Sequence, residues 1–278
     1  MGFSKSPLFS PFLVLLIVFS SLISPNSAAD IFSLVYKGCA NHTTSDLSSF
    51  QSTLTALFNA LLSQSSASRF LKTSSGSGQN AISGLFQCRG DLTNADCSTC
   101  VSRITQMAPS LCGSGAIAGR IQLAGCYLHY EVAGFPQLSG TELQFKTCSK
   151  SDASFEEKRG TAFSQLETGI AGGSGFYATT YASVYVIAQC QGDLSVGDCG
   201  ECVKEAVQRA EVECGKAIAG QVYLNRCYMS YSYYSNGVSG DSPSGSRQQM
   251  GKTAAIVVGG AFALFFVITE RMDTWVLQ

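Results

Sequence analysis

Cysteine is the residue type whose spacing can do chemistry in this chain. Cys88, Cys97 and Cys100 recur as Cys190, Cys199 and Cys202, both sets reading C-x8-C-x2-C. The register continues, because Cys112 recurs as Cys214 and Cys126 as Cys227, and one cysteine precedes each set, Cys39 and Cys148. The twelve cysteines thus divide six and six, and an internal repeat of this kind sets the architecture before any secondary structure is assigned. Thiolates at such spacings could ligate zinc, Cys97-x-x-Cys100 could work as a redox dithiol, or each set could close into disulfides.

The compartment decides among these chemistries. Lys5, the apolar run from Leu8 to Ile23 and the small residues Ser24 to Ala29 form the three regions of a secretory signal peptide, with cleavage after Ala29. Secretion leads to an oxidising lumen, so disulfides are expected throughout, and no thioredoxin-like parallel unit surrounds Cys97-x-x-Cys100. For each set of six, fifteen pairings remain open. The sequon Asn41-His42-Thr43 marks Asn41 as a glycosylation site in the same compartment. His42 and His129 are the only histidines, too few for a zinc site or a hydrolytic triad, so no metal, cofactor or enzymatic activity is expected. A net charge of -1 with 13% charged residues supplies no basic field, and nucleic acid is not an expected partner.

The elements that position these cysteines follow from periodicity. Ile31 to Cys39 reads as a strand, and after Ser45-Asp46 the apolar residues Leu47, Phe50, Leu54, Leu57, Phe58, Leu61 and Leu62 fall on one helical face. Ser63 to Gln79 reads as a Ser/Gly-rich loop, Ala81 to Cys88 as a strand and Ala95 to Leu111 as a helix. Strands Ala118 to Leu123 and Cys126 to Val132 meet at Ala124-Gly125. The second copy repeats the plan, with a strand from Leu143 to Cys148, a helix from Phe155 to Ile170, a strand from Tyr181 to Cys190, a helix from Gly197 to Val212, and strands Ala219 to Leu224 and Cys227 to Tyr234. Tyr223, Tyr228, Tyr231, Tyr233 and Tyr234 offer either sheet packing or a face on which sugars or a partner could stack. Two tandem disulfide-bonded α+β domains are therefore expected over 30–135 and 143–234, joined by a linker at 136–142.

Beyond them, 235–252 reads as a flexible stalk and 253–269 as a transmembrane helix. The uncharged run from Thr253 to Thr269 spans roughly 25 Å at the helical rise, followed by a short cytosolic tail at 270–278. Ala255, Gly259 and Ala263 fall four apart along it, so lateral association into a homo-oligomer is expected.

The paired C-x8-C-x2-C sets, each with one cysteine before and two after, resemble the ginkbilobin-type cysteine-rich repeat of plants, also called the salt-stress-response/antifungal domain. A signal peptide, two such repeats and one membrane helix are similar to the plasmodesmata-located proteins, whereas receptor-like kinases with the same repeats continue into a kinase domain that is not expected here. The resemblance implies two helices on a five-stranded antiparallel sheet in each repeat, and the pairs Cys39–Cys112, Cys88–Cys97, Cys100–Cys126, Cys148–Cys214, Cys190–Cys199 and Cys202–Cys227. It implies a single-pass type I protein of the cell membrane at plasmodesmata, regulating cell-to-cell movement through callose deposition, defence signalling and contact with viral movement proteins or other membrane and wall proteins. A secreted, apoplastic protein that binds cell-wall carbohydrate and acts against fungi is the alternative. A mannose-binding relative uses an Asn, an Arg and a Glu; Arg120 and Glu131 match the last two, Ala40 stands at the Asn position, and Gln221, Ser232 and Ser149 replace the set in the second repeat. Arg120 and Glu131 equally suit a cross-strand ion pair.

Overall fold

The computed structural model describes residues 30–151 and 155–234, so the signal peptide, stalk, membrane helix and tail expected at the ends lie outside the described residues. Among the described residues no helix is long and apolar enough to cross a membrane. The chain forms two compact units, one holding residues up to Cys88 with Asn94–Gly134, the other Arg89–Thr93 with the chain from Phe135 onward.

In the first repeat the order is β1 (Leu34–Cys39), α1 (Leu47–Gln64), β2 (Phe70–Ser75), β3 (Ile82–Cys88), α2 (Asn94–Cys112), β4 (Ala118–Leu123) and β5 (Cys126–Val132). The strands make one antiparallel sheet in the order β1-β4-β5-β3-β2. The second repeat has β6 (Leu143–Cys148), α3 (Glu156–Ala171), β7 (Phe176–Tyr181), β8 (Val184–Cys190), α4 (Val196–Cys214), β9 (Ala219–Leu224) and β10 (Cys227–Tyr233), in the order β6-β9-β10-β8-β7.

Local chemistry starts these helices. The Asp46 carboxylate accepts from the Ser49 N–H at 3.1 Å and caps α1, which then buries Phe50, Leu54, Leu57 and Leu61 at helical spacing. The Ser195 hydroxyl accepts from the Asp198 N–H at 3.1 Å and does the same for α4. Against the helices lie the inward residues of the first sheet, Ile82, Phe86, Ile121, Leu123, Leu128 and Tyr130. Val184, Val186, Ala188, Val222, Leu224, Met229 and Tyr231 form the corresponding layer in the second repeat. Alternate residues of these strands point to the opposite, outer face.

Two expectations about the elements need correction. Residues read as loop between Ser63 and Gln79 contain β2, an edge strand whose side chains are mostly polar, so no apolar alternation announces it. Tyr181 to Cys190, read as one strand, is a strand only from Val184 (β8): Ala182-Ser183 form a two-residue turn, and an unexpected strand, β7, precedes it over Phe176–Tyr181. Both residues have positive φ, 45° and 71°, which fits a type I′ hairpin although neither is a glycine or asparagine.

The disulfides are Cys39–Cys112, Cys88–Cys97 and Cys100–Cys126 in the first repeat, and Cys148–Cys214, Cys190–Cys199 and Cys202–Cys227 in the second. Every bridge has one end on the second helix of its repeat. Through them α2 is bonded to β1, β3 and β5, and α4 to β6, β8 and β10. The first helices, α1 and α3, carry no cysteine: α1 is held by its buried apolar face, and α3 by its apolar face together with the Arg159 guanidinium, which donates to the Gly215 carbonyl, and an ion pair between Glu156 and Lys216.

Candidate functional site

On the outer face of the first sheet, period-two alternation along β5 brings Tyr127, His129 and Glu131 to one side. Register then supplies their neighbours. Arg120 lies opposite His129, Gln122 opposite Tyr127 and Ala118 opposite Glu131 on β4, with Leu85 and Ser83 flanking His129 and Glu131 on β3. Arg120 and Glu131, the two residues singled out from the sequence, are thus diagonal neighbours on adjacent strands.

His129 joins them. Its Nε2 lies 3.2 Å from Glu131 Oε2, off the line of a straight hydrogen bond, and its ring stacks on Tyr127 with centroids 6.4 Å apart. The Arg120 guanidinium hydrogen-bonds the Tyr127 hydroxyl. Burial pushes Tyr127 up to about 12, with Arg120 opposing the rise. Burial also lowers His129 below the usual histidine range; Arg120 and Lys72 act in the same direction and Glu131 against it. The cluster thus sets a guanidinium, an imidazole that burial biases toward its neutral form and a carboxyl group on one face, arranged to hydrogen-bond hydroxyls or to hold its own strands together. The side chains of His129 and Glu131 are only 14% and 16% exposed, which leaves little of either for a sugar.

The position after the first cysteine completes the picture. Ala40 donates its N–H to the Ala118 carbonyl at 2.9 Å, placing it in the same row as Ala118 and Glu131, with a methyl group at the position where the resemblance implied an asparagine. Asn41 lies in the bend that follows and is exposed.

The second repeat builds something different on the same frame. Gln221 lies opposite Ser230 and Ser232 opposite Ala219, so that row holds no charge. Tyr223 and Tyr228 pair across the strands and stack at 5.0 Å, with Phe145 6.3 Å from Tyr223. The tyrosines noted in the sequence divide between faces: Tyr231 is buried in the core, donating to the Ala217 carbonyl at 3.1 Å, and Tyr233 stacks on Phe155 at 4.9 Å. Tyr127 was missed as a site residue because its role depends on cross-strand register, although its spacing from His129 and Glu131 carried the signal.

Cys97 and Cys100 bond to different partners, so they form no dithiol, and no cysteine is free. His42 lies in the bend after β1 and His129 in β5, and no group of metal-ligating residues occurs among the described residues.

Fold and disulfide frame define a class, the tandem α+β module in which one helix of each repeat is bonded to three strands. The family model described as salt stress response/antifungal matches residues 38–133 and 142–234. Plasmodesmata-located protein 2 of Arabidopsis thaliana is 46% identical over 270 residues, covering 89% of this chain and 88% of its own. Plasmodesmata-located protein 1 of the same plant is 48% identical over 260 residues, covering 86% of each chain. The crystal structure of the tandem DUF26 ectodomain of the Arabidopsis thaliana cysteine-rich receptor-like protein PDLP8 matches with a TM-score of 0.67 at 31% identity, covering 73% of this chain and 98% of that one. The chain belongs to the plasmodesmata-located protein family, with two salt stress response/antifungal domains.

Proposed function

We propose that this chain is a single-pass type I membrane protein of plasmodesmata whose two cysteine-rich domains, facing outside the cell, regulate cell-to-cell movement. It acts without enzymatic chemistry, by contact with other membrane or wall proteins, viral movement proteins among them, and its output includes callose deposition and defence signalling. The supporting observation is the extent of the similarity. Plasmodesmata-located protein 2 matches 89% of the chain, well beyond the two stretches that the domain model covers. Imaging of the full-length chain with a C-terminal tag tests the proposal: wall puncta coincident with callose are expected, and diffuse apoplastic signal with release from membranes by alkaline carbonate would sink it.

One observation favours a second reading, a secreted carbohydrate-binding antifungal protein: Arg120 and Glu131 share the outer face of the first sheet. Ala40 and the low exposure of Glu131 weigh against it. A sugar array followed by calorimetry is expected to show poor mannose binding. Micromolar binding abolished by Arg120→Ala would establish the second reading.

A further inference from the structure

We propose that Asn41 carries an N-linked oligosaccharide, and that this glycan stands over the Ala40–Ala118–Glu131 end of the first sheet. The inference rests on the secretory route in the function proposed above. It is carried by a difference between the two repeats that the backbone makes visible.

After their first cysteines the two repeats use the same anchors. Ala40 N–H donates to Ala118 O at 2.9 Å, as Ser149 N–H donates to Ala219 O at 2.9 Å. His42 O accepts from Ile117 N–H at 3.2 Å, as Lys150 O accepts from Ile218 N–H at 3.0 Å, and the bridges Thr43–Ala116 and Ser151–Ala217 follow. Ala40 therefore corresponds to Ser149 and His42 to Lys150. Asn41 corresponds to nothing: it is one extra residue, bulged out between two anchors that hold the chain on either side.

A bulged residue has its side chain released from the sheet, and Asn41, His42 and Thr43 are all exposed. That is the geometry that a folded protein needs to retain a bulky glycan on a sequon without losing a core contact. In the attachment step the Asn41 amide nitrogen bonds to the anomeric carbon of a polyisoprenyl-pyrophosphate-linked oligosaccharide. The carbon–oxygen bond to the pyrophosphate breaks, the pyrophosphate leaves with the electron pair, and the amide loses one proton.

Position gives the modification a consequence. Ala40 lies in the row of Ala118 and Glu131, and the two intervening strand spacings amount to roughly 10 Å, within reach of an oligosaccharide core. The glycan then occupies the end of the sheet where the family's sugar contacts would converge. The second repeat, lacking both the extra residue and the Asn, keeps its equivalent end bare.

The full-length chain expressed in plant cells provides the test. Treatment with a peptide N-glycosidase that accepts plant core structures is expected to increase mobility and convert Asn41 to aspartate in the peptide mass spectrum. Asn41→Gln and Thr43→Ala should each abolish the mobility shift, whereas Thr43→Ser should preserve it. Hydroxyl-radical footprinting should then label the Glu131 end of β5 more strongly in Asn41→Gln than in the glycosylated chain. A secreted chain with unmodified Asn41 overturns the proposal while leaving the function intact. Equal labelling overturns the covering role. A chain that keeps its leader and stays in the cytosol overturns both this inference and the function on which it rests.

Discussion

Burial keeps the His129 imidazole neutral, and this makes one residue a source of pH dependence. Its folded pKa lies below the value near 6.5 of an exposed histidine, with Arg120 and Lys72 reinforcing the effect of burial and Glu131 opposing it. Between the two values the unfolded chain binds more protons than the folded one, so stability rises with pH across that window and is lost as pH falls below about 6.5. Above it the group contributes nothing to the slope. Chemical denaturation at pH 7 and at mildly acidic pH should show a drop in the midpoint for the native chain and a smaller one for His129→Gln. An identical drop in both would assign the pH dependence to other groups.

At the scale of elements, two backbone details carry predictions. The β7–β8 turn places Ala182 and Ser183 at φ 45° and 71°, where a Cβ is crowded by the following carbonyl. Ala182→Asn with Ser183→Gly supplies the residues this turn favours and is expected to stabilise the second repeat by about 1 kcal/mol, read as a higher denaturation midpoint. In the first repeat Gly119 lies opposite Tyr130, and a Cβ there would come within 2.5 Å of the tyrosine ring; Gly220 and Tyr231 repeat the arrangement at 2.6 Å. Gly119→Ala should therefore cost about 1 to 3 kcal/mol by overpacking, and unchanged stability would show that the ring moves freely.

The same details explain what the sequence disclosed. Helix α1 was legible because Leu54, Leu57 and Leu61 keep a helical period behind an Asp46 cap, and β4 and β5 because alternation ends at Ala124-Gly125. Strand β2 was not, since an edge strand with a mostly polar sequence draws its stability from pairing with β3 rather than from its own pattern. The β7–β8 turn was hidden because an alanine and a serine do the work usually left to Asn-Gly. At the site, Arg120 and Glu131 could be found only through family resemblance; the period-two spacing of Tyr127, His129 and Glu131 was visible along β5, but its meeting with Arg120 was not, because that contact depends on cross-strand register.

At the scale of the whole molecule, twelve bonded cysteines leave no thiol, so native alkylation followed by non-reducing mass spectrometry should find no modified cysteine. The long bridges matter most to stability. Cys39–Cys112 closes a separation of 73 residues, for which the chain-entropy model gives about 4 kcal/mol, so Cys39→Ala with Cys112→Ala should lower the unfolding free energy of the first repeat by that order. Cys88–Cys97, at a separation of 9, corresponds to about 2 to 3 kcal/mol in the same model.

The long bridges Cys39–Cys112 and Cys148–Cys214 also determine where tension runs when the chain is pulled from its ends. Load entering along β1 passes from Cys39 across sulfur to Cys112, and load entering along β6 passes from Cys148 to Cys214. The stretches ahead of Cys100 and Cys202 are shunted: α1, β2, β3 and the start of α2 in one repeat, α3, β7, β8 and the start of α4 in the other. With separations of 73 and 66 residues, about 250 Å and about 230 Å of contour length are locked away from extension. The path that bears force runs through β1, β5, β6, β10 and the connecting segments, and the bridges Cys100–Cys126 and Cys202–Cys227 place the C-terminal parts of α2 and α4 on it in parallel with β4 and β9. Under such a load each repeat yields only a short length of chain, and its first helix is kept out of the line of tension by one covalent bond.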